Sequence, residues 1–94
     1  MYKYIKFFME INKLISLIKE KIKKNFKIDE INIEDKSFLH KKHKNFDEKK
    51  FHIKLTINSQ ELKKDSLLES NRKINKVLVN ELKNYIHSIQ IIIN

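Results

Sequence analysis

The 94-residue chain predicts an α+β fold, a single domain ordered helix–strand–strand–helix–strand around a three-stranded mixed sheet with its helices on one face. Three observations carry this expectation. Ile53, Leu55 and Ile57 alternate with Lys54, Thr56 and Asn58, the period-two mark of a half-buried strand. Leu67, Leu68, Ile74, Val77, Leu78, Leu82 and Tyr85 recur at the spacing of one helix face. His87-Ser88-Ile89-Gln90-Ile91-Ile92-Ile93 then reads as a closing strand.

The remaining elements follow in order. Residues 1–9 are read as an N-terminal extension, rich in aromatics (Tyr2, Tyr4, Phe7, Phe8), and residues 10–94 as the domain itself. From Glu10 to Phe26 an amphipathic helix places Ile11, Leu14, Ile15, Ile18, Ile22 and Phe26 on one side and lysines on the other. Ile28 to Glu34 alternates around Ile31 and Ile33 as a first strand. Residues 35–49 are polar, hold His40, His43 and Phe46, and form the long loop of a β-hairpin; loops of this length in compact domains are commonly functional or mobile. Gln60 to Asp65 is expected to be a short turn, with Asp65 or Ser66 capping the second helix and Asn84 ending it. The strand–helix–strand unit sets the last strand parallel to a middle one through a right-handed crossover. The opposite parity of the strands (Asn32, Glu34; Lys54, Thr56, Asn58) is polar, so both helices belong on one sheet face.

Composition narrows the function. No stretch reaches the ~20 apolar residues of a membrane span, and the first eight residues lack the pattern of a signal peptide. With no cysteine there is no disulfide framework, CxxC motif or thiolate metal site, and a reducing cytoplasm fits. The net charge of +9 is the kind of excess that nucleic-acid binders carry. Here it is almost all lysine; Arg72 is the lone arginine, and glycine, proline and alanine are absent, as AT-rich coding produces. Lysine serves bidentate phosphate and base contacts less well than arginine. Glycine-rich phosphate loops are impossible, and no serine has a nucleophile-elbow context. The chain is therefore not expected to be an enzyme.

Four histidines remain as candidate ligands. His87 shares parity with Ile89, Ile91 and Ile93 and is expected to face inward at the mouth of the last strand. Taken on their own, His40 and His43 are loop residues, and His52 opens the second strand on its polar face in a structural role.

The order and spacing of these segments resemble the BolA family. His52-Ile53-Lys54-Leu55-Thr56-Ile57-Asn58-Ser59 lies on the family's H-F-K-V-x-I-x-S without a gap. Ser66-Leu67-Leu68, Asn80-Glu81-Leu82 and Ile86-His87-Ser88-Ile89 stand where it has S-L-V, E-L and I-H-A-L, and Ile31 to Ser37 matches L-E-V-x-D-E-S. The resemblance spans roughly residues 11–93 and implies a layout related to the type II KH fold, here without that fold's G-x-x-G loop. The family's R-H-R is replaced by Ser70-Asn71-Arg72.

The resemblance also implies a role. It makes the chain an adaptor that pairs with a monothiol glutaredoxin to hold a [2Fe–2S] cluster in iron–sulfur assembly, trafficking or iron regulation. His40 and His87 fall on the ligand positions, with His43 as a substitute, while the glutaredoxin and its glutathione supply the thiolates. The chain is then a monomer alone and a heterodimer with its partner. The alternative is a DNA-binding regulator of stress or morphology genes, with Arg72, Lys73 and Lys76 on the contacting helix.

Overall fold

A computed structural model of the chain describes residues 10–37 and 50–94. The expected N-terminal extension and the histidine-bearing part of the hairpin loop lie outside those residues. The elements are α1 (Ile11–Asn25), β1 (Glu30–Asp35), β2 (Phe51–Asn58), α2 (Gln60–Lys63), α3 (Leu67–Val77), α4 (Val79–Asn84) and β3 (Ile86–Ile93). Among them no helix is long and apolar enough to cross a membrane.

The sheet order is β1-β2-β3. β1 runs antiparallel to β2, pairing Ile31 with Ile57 and Ile33 with Leu55. β3 runs parallel to β2, pairing Ile53, Leu55 and Ile57 with Ile89, Ile91 and Ile93. Paired residues point to one side of a sheet, so these isoleucines and Leu55 form its apolar face. Against that face α1 sets Leu14, Ile18 and Ile22, one residue per helical turn and all fully buried. Leu62, Ile74, Leu78 and Ile86 complete the core. The expected mixed three-stranded sheet with helices on one face is the fold observed.

Three local expectations are corrected. Gln60 to Asp65 is not a plain turn but holds α2, a single helical turn capped by Ser59, whose Oγ accepts from the Leu62 N–H at 3.2 Å. Leu67 and Leu68, counted on the apolar face of the second helix, are 67% and 63% exposed. Leu62 of α2 is buried instead, and the buried Ser70 hydroxyl ties α3 to it by donating to the Leu62 carbonyl at 2.8 Å.

The second helix is also not continuous. It bends at Leu78 (φ −99°, ψ 16°), between two β-branched valines that are weaker helix formers. Leu78 N–H still donates to Ile74 O, and Leu82 N–H to Leu78 O, so the bend is confined to one residue. Beyond it, Glu81 turns inward and is 1% exposed; Lys21 of α1 donates to its Oε2 at 2.6 Å. Of the two proposed caps for α3, Ser66 is the one used, accepting from the Glu69 N–H at 3.1 Å.

Candidate functional site

The strand β2 has two unlike ends. At its C-terminal end Ser59 is fully buried and joins three segments. Its hydroxyl donates to the Lys27 carbonyl at 2.7 Å and its N–H donates to the Asn94 carbonyl at 3.2 Å, in addition to capping α2. At the N-terminal end stand the histidines.

His52 is held there through both of its backbone groups. Its N–H donates to the Ser37 hydroxyl at 3.0 Å, and its carbonyl accepts from the Lys36 N–H at 2.7 Å. The ring is 7% exposed, and Nδ1 shares a 2.7 Å hydrogen bond with Ser88 Oγ, which limits how the imidazole can rotate. A shallow cleft of about 280 Å³ lies over this part of the open sheet face, lined by Lys36, His52, Lys54, Ser88 and Gln90 together with Ile53 and Ile89.

His87 reaches the same place by an irregularity. Phe51 pairs with Ile86 and His52 with Ser88, so one residue, His87, is skipped in the register. A bulge of this kind inserts one unpaired residue and re-aims its side chain. Ile86 thereby turns into the core at 2% exposure, whereas His87 is exposed. The inward-facing His87 expected from strict alternation is therefore corrected: alternation holds from Ile89 onward and fails at the bulge. The rings of His52 and His87 lie 4.8 Å apart, centroid to centroid, tilted by 48°.

The structure thus brings His87 together with His52, for which the sequence alone predicts a structural role. The pairing was in reach, because both residues open strands that run parallel side by side. His40 and His43 lie outside the described residues. Among the described residues no group of three or more His, Cys, Asp or Glu side chains gathers as a metal site. Two imidazoles at one open strand end can furnish part of a coordination sphere, and the rest must come from elsewhere.

The residues of the nucleic-acid alternative sit on α3. Arg72, Lys73 and Lys76 are all exposed. Lys73 is engaged by Asp65 at 2.7 Å, a hydrogen bond that raises its pKa above the ordinary lysine value. Lys76 shares a surface depression with Lys21 and Lys24, but Lys21 is already paired with Glu81. Asn71 donates back to the Leu67 carbonyl at 2.8 Å, so this helix face is partly occupied by contacts within the chain.

A three-stranded sheet layered on one face, with a bulged histidine at the mouth of its parallel edge strand, defines a small α+β module of the BolA type. The chain belongs to the BolA-like family, whose model, BolA-like protein, matches residues 22–94. It is similar to BolA1 from Arabidopsis thaliana, with 27% identity over 84% of this chain and 87% of that one and a TM-score of 0.71. The BolA domain of SufE1 from the same plant is 32% identical over the same shares, also with a TM-score of 0.71. A bol-like protein from Babesia bovis shares the fold at 18% identity, with a TM-score of 0.65 over 83% of this chain and 79% of that one. No curated protein sequence matches the chain.

Proposed function

We propose that the protein is a non-enzymatic adaptor that pairs with a monothiol glutaredoxin and contributes imidazole ligands to a [2Fe–2S] cluster. The observation that carries the proposal is the exposed His87 ring, turned out by the bulge and backed by His52 at 4.8 Å. Membership of the BolA-like family supports it. The donor chemistry fits: imidazoles on one side and thiolates on the other give a mixed-ligand cluster with a higher potential than an all-cysteine one. A chain without cysteine depends on the partner and its glutathione for every thiolate.

In this reading His87 is the accessible ligand. His40 takes the second ligand position, with His43 as substitute, and His52 is the competing imidazole that the fold already holds beside His87. Ser88 would then act on the site by orienting His52 through Nδ1, in the manner of groups that orient metal-binding histidines.

The test is to mix the chain with a glutathione-loaded glutaredoxin, iron and sulfide, and to follow the visible absorption and circular dichroism of the heterodimer. His87→Ala is expected to abolish the mixed-ligand spectrum while the heterodimer still forms. His40→Ala and His52→Ala, measured beside it, decide which imidazole takes the second position. An unchanged spectrum in His87→Ala would remove the ligand assignment. Acidification should release the cluster, because a protonated imidazole cannot ligate.

A further inference from the structure

The strand β3 forms one edge of the sheet, and its outer side is unlike the edges that proteins usually leave open. Natural edges are blunted by short length, charged side chains, proline or bulges, because an open row of backbone donors and acceptors is a template for another strand. The opposite edge, β1, follows that rule: it has six residues, among them Glu30, Glu34 and Asp35. β3 has eight residues and carries no Lys, Arg, Asp, Glu or Pro. Its bulge lies at its very start, which leaves Ser88 to Ile93 in regular register with β2. Residues 84–94 are the longest run without a formal charge in a chain that is 35% charged.

The unpaired backbone groups can be placed. Asn94 N–H donates to the Ile57 carbonyl and Asn94 O accepts from Ser59, so Asn94 faces β2. Successive residues of a strand direct these groups to alternate sides, and Ser88, Gln90 and Ile92 therefore also face β2. Ile89, Ile91 and Ile93 direct theirs outward, and among the described residues no strand lies beyond them. The side chains of the same three residues lie on the apolar face and are only half-buried, as is Ile92 on the open face.

We infer that this edge pairs with the same edge of a second copy, antiparallel about a twofold axis through Ile91. That register sets Ile91 opposite Ile91 and Ile89 opposite Ile93 of the other copy, joining their outward backbone groups in hydrogen-bonded pairs. On the open face Gln90 meets Ile92 of the other copy. The same patch serves both copies, as an isologous contact requires. Charge selects the occupant. Two molecules of net charge +9 repel, and among the described residues this strip without charged side chains is a surface that they can share without setting lysine against lysine. The β-branched cross-strand pairs are of the kind that stabilises sheets. His87 lies beyond the paired stretch, at the outer end of each copy, so the contact leaves the histidine pair uncovered. Self-association departs from the monomer expected of the isolated chain and does not depend on the cluster reading.

Sedimentation equilibrium of the full chain between micromolar and millimolar concentration tests the inference. A monomer–dimer equilibrium is expected that tightens as salt rises from about 50 to 500 mM, because screening relieves the repulsion while the contact itself carries no charge. Gln90→Lys combined with Ile92→Lys, both on the open face away from the core, should weaken dimerisation at least tenfold with the far-ultraviolet circular dichroism unchanged. Glu34→Lys, on the opposite edge strand, should leave self-association unaffected at high salt. A chain that stays monomeric at millimolar concentration in high salt overturns the inference. So does a dimer that survives the paired lysines, or one that weakens with salt. If the paired lysines abolish glutaredoxin binding while the wild type never self-associates, the edge belongs to the partner and the inference fails.

Discussion

The two ends of β2 are built on opposite plans. At the Ser59 end, one buried hydroxyl and one backbone N–H join the α1–β1 connection, the start of α2 and the end of β3. At the His52 end the backbone is held as firmly, yet the strand end is open: a bulge turns His87 outward, and a shallow cleft of mixed polar and apolar lining lies beside His52. A small domain has few residues with which to secure its fold, and here one end of the central strand provides closure while the other presents the histidine pair. The mutations that matter for stability and those that matter for ligand binding should therefore separate along a single strand.

The largest stability effect in this comparison belongs to Ser59→Ala. The substitution removes the cap of α2, typically worth about 1 kcal/mol, and leaves the Lys27 carbonyl without the hydroxyl that serves it. That carbonyl is part-buried, so water can serve it in part and the loss falls at the low end of the ~1–3 kcal/mol that an unpaired buried group costs. A total near ~2 kcal/mol is expected in urea or thermal unfolding, with the heterodimer's cluster spectrum unaltered. A cost below about 0.5 kcal/mol would mean that the corner closes by packing alone.

Much of this plan was legible before the structure. The helix over α1 follows from Leu14, Ile18 and Ile22 at four-residue spacing, and the sheet face from Ile53, Leu55 and Ile57. Both patterns are long and regular, and burial obeys them. The second helix reads as continuous because Val77 and Val79, on either side of the bend, are only a weak signal: no glycine or proline is present, and Ile74, Leu78 and Leu82 keep helical spacing across it. α2 is too short to show a periodic pattern, although Ser59 followed by Gln60-Glu61-Leu62 carries a capping serine and an acidic first turn. The candidate site was half legible. His87 was singled out, but a bulge reverses side-chain facing without leaving a trace in composition, so alternation turned it inward and hid its neighbour His52.

A middle-sized effect should come from Ser88, which lies between the two plans. Ser88→Ala removes the hydroxyl shared with His52 Nδ1. Because His52 is 7% exposed, losing this bond should cost about 1 kcal/mol in unfolding experiments. It should also broaden the ring's orientation, which two-dimensional NMR of the imidazole nitrogens would register. Ser88→Thr keeps a hydroxyl at the same place and should restore both readouts; failure of that rescue would show that the serine acts through size rather than through its hydrogen bond.

The smallest effect sharpens the contrast most. His87 is exposed, has no partner in the β2–β3 register, and touches the fold through its ring contact with His52. Surface substitutions away from special features usually lie within about ±0.5 kcal/mol, and a tilted ring pair adds little at an exposed position. His87→Ala should therefore leave thermal and urea unfolding of the isolated chain nearly unchanged. The backbone bulge is kept in place by Ile86, whose side chain fills the core at 2% exposure, and not by the imidazole that the bulge turns outward. A loss above about 1.5 kcal/mol would instead make His87 part of the scaffold, and any spectral change in that variant would then report a disturbed strand end. An unaltered stability joined to a lost cluster spectrum would isolate ligation from folding at one residue, which is what a side chain held out by its own backbone should permit.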